Sequence, residues 1–244
     1  MPELVSSNNF VNCEISSLHL DSRDVKEGSV FFAIKGTNLN GIDFIEEARS
    51  KGAKFIISEE LIDDKSIVHC DNLKELLGKF ASRFYSYASK ELTTFCATGT
   101  NGKTTSVETY ANICKGLGKK CGYISTIGKS INGKVVDEPS HLTTPDPISL
   151  NQSFSEMLMN GATHAAFEAS SHGLEQGRLS GISIDYAVLT SFSQDHLDYH
   201  KSIEKYGNAK KILFKELQPK HSFIQIDSEF GLSVNTDLVE KKAE

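Results

Sequence analysis

Short apolar runs alternate with amphipathic segments along the first 90 residues of the chain. Runs rich in β-branched and aromatic residues predict strands, and they lie at residues 30–34, 54–58 and 66–70. Residues 44–52 carry apolar positions at helical spacing, and residues 73–87 do so again behind Asn72, which has the side chain of an N-cap. The alternation predicts a small α/β unit.

The alternation of apolar and amphipathic segments is interrupted near residue 90, where a second unit is expected to begin. Residues 93–98 predict a strand that runs through a glycine-rich turn into a helix over residues 103–117. Further predicted strands lie at 121–126, 163–170, 185–190 and 222–226, with helices over 148–161 and 203–217. Alternation of this kind indicates a parallel sheet with helices on both faces. We therefore expect an α/β protein with domains at 1–89 and 90–244.

The composition and charge exclude several classes of protein. With 39% hydrophobic and 24% charged residues, the chain has the composition of a globular protein with a buried core. Its formal net charge is −6 and no cluster of lysine and arginine stands out, so we expect no nucleic-acid partner. The longest apolar run, residues 30–34, is too short to span a bilayer, and the first residues lack the pattern of a signal peptide. This predicts a cytoplasmic protein without membrane insertion.

The five scattered cysteines form no C-x-x-C pair and are expected to be reduced thiols.

A glycine-rich phosphate loop, ATGTNGKTT at residues 97–105, lies between a predicted strand and a predicted helix. Gly99 and Gly102 let the backbone turn so that several N–H groups face one anion, and the helix adds its positive N-terminal end. Lys103 supplies a mobile charge for the β- and γ-phosphates, and the Thr104 hydroxyl can reach a magnesium ion. We interpret the segment as a phosphate-binding loop rather than a surface turn, although Ala97 replaces the first glycine of the strict motif. The candidate contacts are Gly99, Thr100, Asn101, Gly102, Lys103, Thr104 and Thr105.

Four further motifs follow the phosphate loop. They are HLTTPDP at residues 141–147, FEASSHGLEQGR at 167–178, SQDHLDYH at 193–200 and AKKILF at 209–214. In this order, and together with TGTNGKTT, they resemble the Mur ligase family, in particular its MurE type. The resemblance runs from Asp21-Ser22-Arg23 to about Gly231. It implies a small N-terminal α/β domain that binds uridine diphosphate, followed by a parallel-sheet ATPase domain with a P-loop.

The resemblance implies two magnesium ions at the phosphate loop, held by Thr104, Glu168, His196 and Lys210. Glu168 ends a predicted strand, where parallel sheets place ligand-binding groups, and a hard cation favours its oxygens. Imidazole is an unusual magnesium ligand, so the residues alone favour a structural or general-base role for His196. Lys210 corresponds to the family lysine that carbon dioxide converts to a carbamate, N6-carboxylysine, and this reaction needs a lowered pKa. Lys211 is the competing lysine, and both lysines could instead lie on a solvated helix face.

The resemblance also implies contacts with a nucleotide-sugar peptide. The family positions that hold this substrate correspond to Thr143, Thr144, Ser170, Gln176 and Arg178, with His172 as a weaker candidate. The Arg178 guanidinium suits a carboxylate or a phosphate because it can donate two parallel hydrogen bonds. Four loop residues of the N-terminal unit are implied to contact the uridine diphosphate, or else are ordinary turn residues: Ser22, Arg23, Thr37 and Asn38.

The implied reaction is ATP-dependent formation of an amide bond in peptidoglycan synthesis. UDP-N-acetylmuramoyl-L-alanyl-D-glutamate would react through an acyl phosphate with a diamino acid, either meso-diaminopimelate or L-lysine. Lys103 and Lys210 are the implied catalytic residues, because charge on the transferred phosphoryl group must be neutralised. The protein is expected to be a monomer.

The chain departs from the family pattern at two places. Many members carry Asn-Leu-Thr-Arg where this chain has Ser191-Phe192-Ser193-Gln194. The resemblance fades after Gly231, and the polar residues 233–244 are expected to form a frayed end. We expect the rest of the central domain and a C-terminal domain to be absent, so one alternative is an inactive fragment that retains UDP-sugar or ATP binding. The other alternative is a ligase like folylpolyglutamate synthase, whose phosphate loop is similar. It is disfavoured because about 90 residues precede the loop here.

Overall fold

The computed structural model describes residues 14–36, 39–137 and 142–243. Contacts divide the chain into two compact units, Met1–Leu77 and Gly78–Glu244. The division falls between Leu77 and Gly78, inside a helix. The domain boundary expected near residue 90 stays a prediction.

The first unit contains a small parallel sheet. Its elements are β1 (Leu18–His19), β2 (Ser29–Ala33), α1 (Ile45–Ser50), β3 (Ala53–Ser58), β4 (Ile67–His69) and the start of α2 (Leu73–Phe84), with 3-10 turns at Ser22–Asp24 and Gly41–Phe44. The strand order is β1-β2-β3-β4, and all three pairs are parallel. Every residue of β2 is buried, as expected for an inner strand of a parallel sheet. Phe31, Ile45 and Ile56 form the core, so the α/β unit predicted from the alternating pattern is confirmed.

The second unit is built on a larger sheet. Its strands are β5 (Thr93–Thr98), β6 (Cys121–Ser125), β7 (Gly128–Ile131), β8 (Lys134–Asp137), β9 (His164–Glu168), β10 (Tyr186–Leu189) and β11 (His221–Ile224). Its helices are α3 (Lys103–Gly116), α4 (Pro147–Met159), α5 (Ser171–Glu175), α6 (Leu197–His200), α7 (Ile203–Lys215) and α8 (Glu229–Ala243), with a 3-10 turn at Ala88–Lys90. The order is β11-β10-β5-β9-β6-β7-β8, and the first five strands in this order are parallel. The predicted parallel sheet is therefore confirmed.

One edge of the larger sheet differs from the sequence expectation. Strands β7 and β8 are antiparallel to their neighbours and form a hairpin next to β6. Asn132 and Gly133 form its turn with φ values of 53° and 81°, and Asn-Gly is favoured where both turn residues need positive φ. The dipeptide was thus a local signal for a hairpin that strand–helix alternation overlooked.

The frayed end expected at residues 233–244 is wrong, because helix α8 covers most of this segment. Val234 is 2% exposed, and the Asp237 carboxylate pairs with Lys211 and Lys215 of α7 at 2.8 and 3.0 Å. Contacts with the neighbouring helix therefore hold a segment whose own apolar pattern is weak. Across residues 14–36, 39–137 and 142–243, none of the helices combines the length and apolar character of a transmembrane span.

Three parallel strands end at the same edge of the larger sheet. Ala97 of β5 pairs with Glu168 of β9, and Thr98 of β5 pairs with Leu189 of β10. The segments that follow these strands therefore leave the sheet side by side. Open α/β sheets bind ligands at this edge.

Candidate active site

The phosphate loop (residues 97–105) turns sharply between β5 and α3. Gly102 has a φ of 85°, a left-handed conformation that favours glycine, and it directly precedes α3. A Cβ atom at Gly99 would collide with the hydroxyl of Thr190, which follows β10. Among the described residues, no acceptor bonds the backbone N–H groups of residues 102–105, the first amides of the helix. These N–H groups and the helix dipole make this end of α3 suited to an anion.

Two lysines meet at the carbonyl oxygen of Gly99. Lys103 Nζ donates to the carbonyl oxygens of Gly99 and Thr100 at 3.0 Å each. Lys210, which is 1% exposed, donates from Nζ to the same Gly99 oxygen at 2.9 Å and lies 4.5 Å from the centre of the Tyr206 ring. Burial lowers the pKa of both amines, and burial together with the Lys103 charge lowers the pKa of Lys210 to about 7. A neutral amine is therefore available at Lys210 near neutral pH.

The adjacent lysine, Lys211, has different partners. Its Nζ donates to Ser233 Oγ at 2.7 Å and to Asp237 Oδ2 at 2.8 Å, both on α8. Consecutive helix positions point about 100° apart, so α7 directs one lysine to the phosphate loop and the other to α8.

Glu168 lies beside the first turn of α3. It is 1% exposed, and its carboxylate accepts hydrogen bonds from Thr104 Oγ1 at 2.8 Å and from the backbone N–H of Thr126 at 2.9 Å. Both donors are neutral. A buried carboxylate with neutral donors offers oxygen atoms that suit a hard divalent cation.

Two threonines and a serine expected to hold the substrate surround Glu168. The buried Thr144 hydroxyl lies 2.9 Å from the carbonyl oxygen of Glu168 and accepts from the Ser170 N–H at 2.9 Å. Thr143 joins this group because its hydroxyl accepts from Thr126 Oγ1 at 3.3 Å. The Ser170 hydroxyl caps α5. These hydroxyls therefore order the chain next to Glu168.

Arg178 and Gln176 extend the same group. Arg178 Nη1 donates to the carbonyl oxygen of Thr144 at 2.6 Å, and its Nη2 donates to Gln176 Oε1 at 2.6 Å. Gln176 Nε2 in turn donates to the Tyr199 hydroxyl at 3.2 Å. The structure thus brings together all five residues that the sequence assigned to the nucleotide-sugar peptide.

His196 lies near Tyr206, and Tyr206 contacts the phosphate loop. His196 has a left-handed backbone with φ of 51°, and its ring centre lies 4.9 Å from that of His172 and 6.1 Å from that of Tyr206. The Tyr206 hydroxyl is 3.1 Å from Thr100 Oγ1. Within the described part of the chain, no three His, Cys, Asp or Glu side chains form a group that could hold a metal ion. A magnesium site would therefore need further oxygen atoms, such as those of Thr104 or of a modified lysine.

Two buried residues beside the site were absent from the sequence candidates. Tyr206 is 1% exposed and packs against Lys210. His200 is 2% exposed, with Nε2 at 2.9 Å from Ser171 Oγ and Nδ1 at 3.6 Å from Glu175 Oε2, and burial lowers its pKa. His200 lies in the motif SQDHLDYH, but only the structure shows that its ring centre is 5.4 Å from that of Tyr206, which contacts Thr100 of the phosphate loop.

The four N-terminal candidates lie in the first unit or outside the described residues. The Ser22 hydroxyl is buried and donates to Glu47 Oε2 at 2.6 Å. The exposed Arg23 guanidinium pairs with Asp21, whose side chain caps the turn that Ser22 begins. Thr37 and Asn38 lie outside the described residues.

Comparisons with known proteins cover nearly the whole chain. Residues 97–244 match the Mur ligase middle domain, and residues 14–85 match the Mur ligase family, catalytic domain. A curated UDP-N-acetylmuramoyl-L-alanyl-D-glutamate–2,6-diaminopimelate ligase from Bacillus cereus is 41% identical over 207 residues, which cover 84% of this chain and 42% of that protein. The protein of the same name from Cytophaga hutchinsonii is 38% identical over 231 residues, or 93% of this chain and 47% of that protein.

Solved structures are also similar to this chain. A structure of a ligase with this name has a TM-score of 0.81 and 32% identity, and covers 93% of this chain and 46% of that chain. Folylpolyglutamate synthase from Mycobacterium tuberculosis shares the fold alone, with a TM-score of 0.54 and 16% identity over 69% of this chain and 45% of that chain. The chain spans about half the length of the curated relatives it matches. On these matches and on its fold, the chain belongs to the Mur ligase family.

Proposed function

We propose that this chain forms part of an ATP-dependent ligase that makes an amide bond in peptidoglycan synthesis. Its carboxylate substrate would be UDP-N-acetylmuramoyl-L-alanyl-D-glutamate, and the amino acid added would be meso-diaminopimelate or L-lysine. The names of the similar curated ligases support the first of these amino acids. The observation that carries the proposal is the row of N–H groups at residues 102–105 that no described residue accepts from, beside the ammonium group of Lys103.

The phosphate loop supports binding of the ATP phosphates. The free amides of residues 102–105, which include Thr104 and Thr105, donate to phosphate oxygens. Lys103 exchanges its two backbone carbonyl partners for the β- and γ-phosphates, because a phosphate oxygen carries more negative charge than a carbonyl. Gly99, Thr100 and Asn101 shape the turn that presents these groups, and Gly102 admits its left-handed backbone.

The residues beside the loop fit magnesium. Glu168 offers a buried carboxylate, and the Thr104 hydroxyl that now donates to it would turn its oxygen to the cation. Bound magnesium would supply positive charge that stabilises the transferred phosphoryl group. His196, whose ring centre lies 6.1 Å from that of Tyr206, is the proposed ligand of a second ion.

Lys210 is the proposed site of the carbamate. Its neutral amine can attack carbon dioxide, forming a nitrogen–carbon bond and losing one proton, and the product carries anionic oxygens. The ion pair of Lys211 with Asp237 supports the choice of Lys210 over its neighbour.

The proposed reaction has two steps. The glutamate side-chain carboxylate attacks the γ-phosphorus and ADP leaves, which produces an acyl phosphate. The amine of the diamino acid then attacks the acyl carbon, phosphate leaves, and the nitrogen loses a proton. Lys103 balances negative charge during the first step, and Lys210 contributes as a carbamate.

The remaining candidate residues are proposed to bind the nucleotide-sugar peptide. Arg178 pairs with an anionic group of the nucleotide-sugar peptide, while four polar side chains orient that peptide: Thr143, Thr144, Ser170 and Gln176. Ser22, Arg23, Thr37 and Asn38 contact the uridine diphosphate. We propose a monomeric cytoplasmic enzyme with a UDP-binding domain at 1–89 and an ATP-binding domain at 90–244.

Calorimetric titration of the purified chain with ADP and magnesium tests the phosphate site. Binding by the wild type, with a loss of at least tenfold in affinity for Lys103→Met, supports the proposal. Lys211→Met is a matched control because the same charge is removed from α8 contacts. A wild-type chain that binds no ADP would refute the phosphate site.

Two further measurements separate the parts of the proposal. Carbon-13 NMR with labelled bicarbonate should show a carbamate carbon in the wild type and in Lys211→Met, but none in Lys210→Met. Phosphate release with ATP, magnesium, the nucleotide-sugar dipeptide and each diamino acid tests turnover. Nucleotide binding without release would favour the binding-fragment alternative over the ligase.

A further inference from the structure

The segment after β10, residues 190–193, bonds the backbone of Asn101 in the phosphate loop at both its N–H and its carbonyl group. Ser191 Oγ accepts from the backbone N–H of Asn101 at 2.9 Å and lies 3.1 Å from the Asn101 carbonyl oxygen, to which it donates. Thr190 Oγ1 donates to the same carbonyl oxygen at 2.6 Å. The backbone conformation at Asn101 is therefore set by side chains that are 89 and 90 residues away along the chain.

The neighbouring residue of the loop is bound to the same segment. The Thr100 N–H donates to the carbonyl oxygen of Ser191 at 3.0 Å. Thr100 Oγ1 donates to the Ser193 carbonyl and accepts from the Ser193 N–H, both at 3.0 Å. Ser193 contributes only its backbone among the described residues, whereas Ser191 uses its side chain.

These contacts divide the amides of the loop into two sets. The N–H groups of Thr100 and Asn101 are directed at the 190–193 segment. The N–H groups of residues 102–105 remain for an anion. A glycine-rich turn is flexible by itself, so ordering it when an anion binds would weaken the affinity. A hydroxyl that orders the turn beforehand removes part of that cost.

We propose that Ser191 is a positioning residue that orders the phosphate loop before the nucleotide binds. The role rests on the proposed phosphate site. Ser191 is one of the positions where the chain departs from the family pattern. Because the Ser191 hydroxyl bonds the N–H and the carbonyl of Asn101, its effect passes through the backbone of that residue. The hydroxyl group, not the size of the side chain, carries the effect.

Three substitutions at this position separate the hydroxyl from the shape of the side chain. Ser191→Ala removes the hydroxyl, Ser191→Thr keeps it, and Ser191→Val has the shape of threonine without it. Ser193→Ala is the matched control, since it deletes a hydroxyl two residues along that bonds to nothing in the described residues. The measurements are amide hydrogen exchange of Asn101 by NMR without ligand, and the affinity for ADP with magnesium.

The expected pattern follows the hydroxyl. Ser191→Ala and Ser191→Val should exchange the Asn101 amide about tenfold faster and bind ADP about tenfold more weakly, as the loss of two hydrogen bonds implies. Ser191→Thr and Ser193→Ala should behave like the wild type in both measurements. Equal exchange and equal affinity in all four variants would overturn the positioning role while leaving the phosphate site intact. Failure of the wild type to bind ADP would instead overturn the phosphate site and this inference with it.

Discussion

Replacing Lys210 with methionine should remove a pH dependence that this buried amine gives to stability. Burial and the charge of Lys103 lower the pKa of Lys210 to about 7 in the folded protein, against 10.5 for an exposed lysine. Between these values the unfolded chain holds a proton that the folded chain has released, so the free energy of unfolding of the wild type rises with pH. One such group contributes at most about 1.4 kcal/mol per pH unit. The total between pH 7.5 and 9.5 is about 2.5 kcal/mol, because the difference in bound protons is less than one at both ends of this range.

Urea unfolding followed by circular dichroism measures this rise. The wild type, Lys210→Met and Lys211→Met are compared at both pH values in buffer free of carbon dioxide, because a carbamate would change the charge of Lys210. The wild type should gain about 2.5 kcal/mol more than Lys210→Met between the two pH values. Lys211→Met should keep the wild-type rise, since it leaves the amine at Gly99 in place. Parallel profiles for the wild type and Lys210→Met would refute a buried amine with a low pKa.

Three further substitutions test other parts of the site and fold. Gly99→Ala should reduce nucleotide affinity at least tenfold because its Cβ meets the Thr190 hydroxyl, whereas Gly116→Ala, with open space around it, should bind normally in the same titration. His200→Gln should lessen the fall in unfolding free energy below pH 6.5, because burial lowers the pKa of His200 and the unfolded chain then binds more protons than the folded one. Val234→Ala should cost about 1 to 2 kcal/mol in urea unfolding, and no cost would mean that α8 frays.

The phosphate loop shows how much of a site can be predicted from local sequence. Gly99, Gly102 and Lys103 are close neighbours in the chain, and the preceding strand and following helix have clear apolar patterns. The strand was predicted with the bounds that β5 has in the structure, and the helix with an end one residue beyond that of α3. Local sequence is sufficient here because the turn, the helix start and the lysine depend on contacts within a few residues.

The hydroxyl groups around the loop could not be predicted in the same way. Ser191 is 90 residues from Asn101, and the sequence marked it only as a departure from the family. Tyr206 and Thr100 are 106 residues apart, so no spacing rule connects them. Their contacts exist because β5 and β10 are neighbours in the sheet, which brings the segments after both strands together.

The sequence by itself determined the alternating α/β pattern, the position of the phosphate loop and the order of the motifs after it, because these depend on local periodicity and residue type. The tertiary structure alone decided that α7 directs Lys210 to Gly99 and Lys211 to Asp237, and that α8 is a helix at all. Burial and the approach of segments distant in the chain cause both outcomes. The pKa of about 7 at Lys210 arises in the same way, since desolvation depends on every residue that surrounds an amine.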